Sequence, residues 1–99
     1  WCLDTDPALV APKFAQYGVN VFGLNPADGV EVNAKKAIEK TAAFFRSIGI
    51  TQTLKDFGID DSHFEAMAKH VTTAWVGDYK YAFVPMDKEA VLAVLRASL

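Results

Sequence analysis

The stretch DGVEVNAKKAIEKTAAFFRSIG, residues 28–49, decides the fold, because it has helical periodicity and both of its ends carry helix-terminating signals. Asp28 is a suitable N-cap, and Glu31 three residues later completes a capping box. Gly49 is placed to take the left-handed conformation that closes a helix, so that Ile50 can fold back on the last turn. The sequence therefore predicts one long amphipathic helix between Asp28 and Gly49.

Apolar residues recur along this segment at spacings of three and four and form one stripe of helical period. A helix of roughly 20 residues spans ~30 Å, about the width of a small domain, so the shorter segments are expected to pack around it. We expect Phe45 to be a core residue whose truncation costs ~3–5 kcal/mol; if the stripe faced the other way, Phe44 would lie inside instead. The stripe consists of Ala34, Ala37, Ile38, Thr41, Ala42, Phe45 and Ile48.

A second helix is predicted for PKFAQYGVNVFG, residues 12–23, with Pro12 in its first turn and Gly23 as its terminator. Gly18 lies in the middle of the apolar face of this helix. Glycine in a helix interior costs about 1 kcal/mol relative to alanine, so we expect another backbone to approach closely at Gly18. The predicted apolar face consists of Phe14, Tyr17, Gly18, Val21 and Phe22.

The remaining segments predict shorter helices. Thr53 caps a short helix that Gly58 terminates, and Asp87 caps the final helix. Between them, residues 60–62 offer overlapping caps for a helix that runs to Trp75. The inner faces of the last two helices are predicted to be Phe64, Met67, Ala68, Val71 and Trp75, and Val91, Leu92, Val94 and Leu95.

Residues 76–85, VGDYKYAFVP, lack helical period and are interpreted as an extended loop, because they offer a strand pattern with no second strand to pair with. The fold class expected for residues 1–99 is therefore all-α. We predict a single domain, a bundle of about five helices with short connections.

The composition fits one small globular domain. The chain has 99 residues, 52% of them apolar, with a net charge of −2 and a pI near 5.5. It has no basic patch and no apolar run of ~20 residues, which argues against nucleic acid and membrane as partners. Cys2 is the only cysteine, so the chain cannot form an internal disulfide, and a cytoplasmic location is expected. Because the sequence opens on Trp1 rather than Met, a fragment of a larger protein is expected.

The sequence shows no self-contained active site. His63 and His70 are seven residues apart on one predicted helix, ~10.5 Å along its axis, which is too far for two ligands of one ion. Cys2 has no evident base, and the six glycines form no phosphate-binding loop. No catalytic, cofactor-binding or metal residue is therefore expected. The aromatic residues Trp75, Tyr79, Tyr81 and Phe83 either line an apolar pocket or cover the open end of the bundle.

Four segments in order resemble the C-terminal part of the iron-containing (group III) alcohol dehydrogenases, especially the butanol dehydrogenase branch. They are KFAQYGVNVFGL at 13–24, AIEKTAAFFRSIGI at 37–50, TLKDFGI at 53–59 and DKEAVLAVLRASL at 87–99. The resemblance implies a two-domain enzyme. An N-terminal domain binds NAD or NADP, and a dehydroquinate synthase-like helical domain holds a divalent metal, iron or zinc, with one aspartate and three histidines. Those motifs are absent here, and His63 and His70 do not match them.

The resemblance thus implies that the chain is the C-terminal part of an enzyme that interconverts short or medium primary alcohols and aldehydes. Its partners would be the missing dinucleotide-binding domain and upstream metal-binding helices, and the fragment alone would be inactive. In the family the connection before the last helix returns towards the cleft between domains, which places Trp75, Val76 and Tyr79 at the substrate-side wall. A homodimer formed through Trp1, Leu3 and residues 75–83 is also expected. The alternative is a free-standing helical module that works by protein–protein contact.

Overall fold

The computed structural model describes residues 1–74 and 82–99. Within these ranges the chain is helical and has no strand, so the predicted all-α class is confirmed. Three 3₁₀ turns, at Pro26–Asp28, Leu54–Phe57 and Asp61–His63, connect the helices. The α-helices of the described ranges are α1 (Cys2–Thr5), α2 (Pro7–Phe22), α3 (Val30–Ser47), α4 (Phe64–Ala74) and α5 (Lys88–Ala97). None of the described helices is both long and apolar enough to cross a membrane.

The described residues form two compact units. The N-terminal unit is Cys2–Thr51, and the C-terminal unit is Gln52–Leu99 together with Trp1. Helices α1 to α3 belong to the first unit, and α4 and α5 to the second. That the two units make up one domain stays a prediction.

Helix α2 begins earlier than the sequence predicted. Its N-cap is Asp6, whose Oδ1 accepts a hydrogen bond from the Leu9 N–H at 3.1 Å, and Pro7 occupies the first turn. Pro12, expected to start the helix, lies inside it. Two prolines compete for the start of this helix, and the one that directly follows a capping aspartate sets it. Pro12 has no N–H, so the helix gives up one internal hydrogen bond there.

The start of α3 also differs from the prediction. Asp28 is not the N-cap; it ends the 3₁₀ turn that Asn25 caps by accepting from the Ala27 N–H at 3.0 Å. The N-cap is Gly29, with φ 93°, and it offers no side-chain cap. Asp28 instead receives a hydrogen bond from Lys36 Nζ at 2.7 Å. Asp28 is part of the 3₁₀ turn that follows Asn25, so the helix begins one residue later than the capping-box pattern indicates.

The end of α3 agrees with the prediction. Gly49 has φ 87°, and its N–H bonds to the Arg46 carbonyl at 3.1 Å. The Ile50 N–H bonds to the Phe45 carbonyl at 2.9 Å. These two bonds form a Schellman motif, which uses the carbonyls that the last helical turn leaves free. Gly49 is therefore confirmed as the residue that closes this helix.

Helices α2 and α3 approach each other closely at Gly18, as the sequence predicted. A Cβ on Gly18 would lie 3.0 Å from the Ala37 Cβ and 3.2 Å from the Asn33 carbonyl oxygen of α3, and 2.8 Å from the Leu24 Cδ1 that follows α2, all shorter than ordinary contacts. Small side chains account for most of the buried residues of this unit, so the two backbones can approach closely. The buried apolar residues are Val10, Ala11, Ala15, Ala34 and Ala37.

Asn33 is the buried polar residue beside this contact, with 1% of its surface exposed. Its Nδ2 donates to the Asn25 carbonyl at 2.8 Å and so ties α3 to the preceding turn. Its Oδ1 has no hydrogen-bond partner among the described residues. An unsatisfied buried acceptor costs ~1–3 kcal/mol, so the unpaired Oδ1 offsets part of the stability that the Nδ2 hydrogen bond contributes.

The rest of the predicted α3 stripe is not buried. Phe45 is 45% exposed and Phe44 is 52% exposed, so neither of the two predicted placements puts a phenylalanine in the core. Ile38 and Ile48 are also about half exposed. The close contact at Gly18 buries the alanine part of the stripe, and the larger side chains further along α3 lie outside it. On α2, the predicted inner residues Tyr17 and Val21 are exposed for the same reason.

The core of the C-terminal unit is a cluster of Phe64, Ala68 and Leu92, which joins α4 to α5. The Leu54 N–H bonds to the Ser98 carbonyl at 3.1 Å and brings the 3₁₀ turn onto this cluster. Two residues predicted on the inner faces, Met67 and Val94, are instead 44% and 37% exposed. The partly buried residues packed against the cluster are Leu54, Val91, Leu95 and Leu99.

The caps of the C-terminal unit are confirmed. The Asp56 carboxylate accepts from the Thr53 N–H at 2.7 Å in a capping box, and Gly58 ends this turn with φ 71°. The segment is a 3₁₀ turn, however, and not an α-helix. Asp60 caps the turn before α4, and Asp87 caps α5 by accepting from the Ala90 N–H at 2.8 Å.

Gly18→Ala tests the close contact between α2 and α3. Overpacking of this kind costs ~1–3 kcal/mol, while replacing glycine in a helix gains about 1 kcal/mol, so we expect a net loss of about 1 kcal/mol in the free energy of unfolding. Urea denaturation of the chain measures it. Ala37→Gly removes one of the three atoms that the new methyl meets, so the double variant should be less destabilised than the sum of the single variants. A Gly18→Ala chain as stable as the wild type would contradict the contact.

Phe64→Ala should destabilise the chain more than Phe45→Ala does. Phe64 is 1% exposed, so its truncation is expected to cost ~3–5 kcal/mol, whereas Phe45→Ala should cost well under that in this chain. Phe57, at 70% exposure, provides the control, and Phe57→Ala should change stability little. Thermal unfolding of the three variants checks the order. A larger loss for Phe45→Ala than for Phe64→Ala would restore the sequence-based placement of the core.

Candidate functional site

An open apolar groove runs between α2 and α3 in the N-terminal unit. It encloses about 500 Å³, and its residues come from the middle of α2 and from two turns of α3. Ala37, which is fully buried, forms its floor, and Ile38 and Phe45 stand on its α3 side. We call it the α2–α3 groove; its lining residues are Phe14, Tyr17, Ala37, Ile38, Thr41, Ala42 and Phe45.

The polar groups of the groove are already paired with each other. The Thr41 hydroxyl donates to the Ala37 carbonyl at 2.8 Å. Tyr17 Oη lies 3.0 Å from Thr41 Oγ1, and because the Thr41 proton is used, the tyrosine must be the donor. The lining contains no Asp, Glu, Lys, Arg or His. The groove is thus suited to apolar side chains and offers little to orient a polar substrate.

The charged residues of α3 lie on a different part of its surface. Lys36, Glu39, Lys40 and Arg46 line a shallow, more polar depression of that helix. All four residues are exposed and lie off the apolar stripe. The groove and the charged face therefore give α3 two chemically distinct sides.

The residues predicted for the substrate-side wall, Trp75, Val76 and Tyr79, lie outside the described residues, and their role stays a prediction. Tyr81, from the same aromatic group, lies outside them as well. The chain is described again from Ala82, and it reaches the α5 cap at Asp87 without forming helix or strand. In this connection Val84 is buried and Phe83 is half exposed.

The described residues hold no group of three or more His, Cys, Asp and Glu side chains close enough to bind a metal ion. His63 ends the 3₁₀ turn before α4, and His70 lies on α4, both exposed. Cys2 is half-buried in α1. Neither the two histidines nor Cys2 is thus part of such a group within the ranges that the structure describes.

The titrating groups with shifted pKa values serve the fold. Lys88 Nζ donates to Glu65 Oε2 at 2.6 Å across the surface of the C-terminal unit. This hydrogen bond lowers the pKa of Glu65 and raises that of Lys88. The pKa of Asp60 is lowered chiefly by the side-chain hydrogen bond from Ser62 and then by the Ser62 backbone N–H. All three groups are exposed, and each lies at or beside a helix start, which marks them as caps and ion pairs rather than catalytic groups.

The groove is not predicted from the sequence, although its residues belong to the predicted apolar faces. Phe14 and Tyr17 lie on one predicted face and Thr41 and Phe45 on another, and the prediction puts both faces in a filled core. The available signal was the size contrast along each face, since glycine and alanine at one level bring the helices together. Aromatic residues one or two turns away then have no equally large partner opposite them.

Three curated relatives and one family match this chain. The sequence model described as "Fe-containing alcohol dehydrogenase family, C-terminal" matches residues 8–99. NADH-dependent butanol dehydrogenase A of Clostridium acetobutylicum is 34% identical over 87 residues, which make up 87% of this chain and 22% of that protein. NADH-dependent butanol dehydrogenase B of the same organism is 31% identical over 91 residues, 88% of this chain and 22% of that protein.

A probable NADH-dependent butanol dehydrogenase 1 of Bacillus subtilis is 32% identical over 99 residues, 98% of this chain and 24% of that protein. The chain thus spans less than a quarter of the length of the curated relatives it matches. No solved structure matches significantly.

Proposed function

This chain belongs to the iron-containing alcohol dehydrogenase family and corresponds to its C-terminal part, and from this premise we propose that it is the closing helical segment of an NAD(P)-linked, metal-dependent alcohol dehydrogenase. The observation that carries the proposal is the family match over residues 8–99, which includes every helix of the described residues except the one-turn α1. The match also favours the enzyme over the free-standing interaction module.

The substrates of the proposed enzyme are short or medium primary alcohols and the corresponding aldehydes. Support comes from the relatives, which are butanol dehydrogenases by name, and their names also favour NADH as the nicotinamide cofactor. The sequence of this chain contains no glycine-rich dinucleotide loop. We therefore assign binding of the cofactor and of the divalent metal, iron or zinc, to the polypeptide outside this chain.

Within the proposed enzyme this chain acts by supporting the helical domain and by closing the substrate side of the cleft. Trp75, Val76 and Tyr79 are the proposed wall residues, because the connection before the last helix returns towards the cleft in this family. Aromatic and branched side chains at such a wall would bind the alkyl part of a primary alcohol. The cytoplasm is the proposed location, and the single cysteine is compatible with it.

A homodimer through Trp1, Leu3 and residues 75–83 also stays a prediction. Trp1 and Leu3 are half-buried in the structure, so they present less apolar surface than the sequence suggested.

The first test compares the enzyme encoded by the surrounding reading frame with the 99-residue chain alone. The longer protein is expected to oxidise NADH in the presence of butanal, to lose this activity on chelation and to regain it with iron or zinc. The chain alone should show no activity and no stoichiometric binding of NADH or zinc by calorimetry. A longer protein that reduces no aldehyde, or a chain that binds one zinc at micromolar affinity or better, would contradict the proposal.

The second test examines the substrate wall in the longer enzyme. Trp75→Ala and Tyr79→Ala should each raise KM for butanal about 10-fold, the effect of losing ~1.4 kcal/mol of apolar contact, and leave kcat nearly unchanged. The increase should be smaller for acetaldehyde, whose alkyl group is shorter. Phe57→Ala, on the exposed 3₁₀ turn, is the matched control and should leave both constants unchanged. Unaltered KM values in both wall variants would exclude these residues from the site.

A further inference from the structure

No part of residues 1–74 or 82–99 fills the α2–α3 groove, and its lining determines what could fill it. Its hydroxyl groups are committed to the Tyr17–Thr41–Ala37 chain of hydrogen bonds, and it contains no charged residue. A small polar ligand would find no free hydroxyl proton in the lining, and only the hydroxyl oxygens of Tyr17 and Thr41 could still accept a hydrogen bond. The chemistry of the groove favours apolar side chains.

We propose that the α2–α3 groove is the docking site of an amphipathic helix contributed by the part of the enzyme polypeptide that lies outside this chain. This inference rests on the proposed function, since it takes the chain to be the C-terminal part of a longer enzyme.

The dimensions of the groove suit a helix. On α3 the lining extends from Ala37 to Phe45, a distance of ~12 Å along the axis, which corresponds to about two helical turns. A helix that presents apolar residues at i, i+3 or i+4, and i+7 covers the same distance with three anchors. One such helix would cover Ile38 and Phe45, which are each 45% exposed, together with Tyr17 at 39%.

The apolar surface around the groove extends beyond it. Phe44 and Ile48, at the C-terminal end of α3, are 52% and 56% exposed. Contiguous apolar patches of this kind rarely stay bare on a folded protein, and they mark contact surfaces. The groove and these two side chains together therefore offer apolar surface that is suited to burial.

The length of the relatives indicates where the occupant comes from. The chain covers 22% of each of the two Clostridium relatives, and the matching family model is the C-terminal one. In an enzyme of that length, more than three quarters of the polypeptide is available to supply a helix. A second copy of this chain is the weaker candidate, because in a two-fold dimer the same surface meets itself, and one concave groove does not fill another.

Thiol labelling of the longer enzyme tests whether the groove is covered. Ile38→Cys places a thiol in the groove, and Glu39→Cys places one on the adjacent charged face; Cys2→Ser is included in both, and mass spectrometry locates each modified cysteine. Each rate of reaction with maleimide is divided by the rate at the same position in the denatured enzyme. We expect this normalised rate to be at least about 10-fold lower at position 38 than at position 39. The protection should persist over about 100-fold dilution, because the occupant belongs to the same polypeptide. Equal labelling at the two positions would overturn the proposal.

Photo-crosslinking identifies the occupant. A photoreactive phenylalanine analogue replaces Phe45 in a mixture of ¹⁴N- and ¹⁵N-labelled enzyme. The expected products join this position to a peptide from outside the chain, with one isotope in both halves. A crosslink from position 45 to residues 52–99 would overturn the proposal. A crosslink with ¹⁴N in one half and ¹⁵N in the other would show that a second copy occupies the groove, and would also overturn it.

The assay of NADH-dependent butanal reduction on the same samples separates this inference from the proposed function. A protected groove in an enzyme that does not reduce butanal would count against the activity alone. An active enzyme with a freely labelled groove would count against the docked helix alone.

Discussion

The close approach of two helices at Gly18 is the constraint on which the rest of the N-terminal unit depends. Because Gly18 has no side chain, the Ala37 Cβ and the Asn33 carbonyl oxygen of α3 can lie directly against the backbone of α2. Alanines on both helices are buried as a consequence. A larger residue at Gly18 would push the helices apart and expose the alanines that are now buried between them. The contact is local, but it fixes which face of α3 is inside.

The groove follows from the same contact. Two helices that meet closely at one level, through small residues, leave space where their side chains become large and do not interdigitate. On α3 that change occurs between Ala37 and Phe45, and on α2 between Gly18 and Phe14. The groove is therefore a direct result of residue size along two faces, and it leaves the lining residues Tyr17, Ile38 and Phe45 39–45% exposed.

The sequence predicted best what depends on a few neighbouring residues. The helix stops at Gly49 and Gly58 and the cap at Asp87 were all found, because each is a local hydrogen-bond pattern with a specific residue type. The predictions were wrong at Pro12 and Asp28, where more than one residue of the sequence could start or cap the same helix. Burial at Phe45 was also wrong, because periodicity identifies an apolar face and does not identify what packs on it. The family was predicted correctly from four segments in order, whereas the substrate wall at Trp75, Val76 and Tyr79 stays a prediction.

Asn33 has a consequence for how this hairpin of helices tolerates change. Its amide bonds the Asn25 carbonyl from inside the dry contact, so sliding α3 by one turn would break that bond and leave the Asn25 carbonyl without this donor. The Gly18–Ala37 contact and the Tyr17–Thr41 hydrogen bond hold the register of the two helices, while Asn33 holds α3 to the turn before it. Lining residues that make neither contact, such as Ile38 and Phe45, can change in size to follow whatever covers them without the helices losing their alignment.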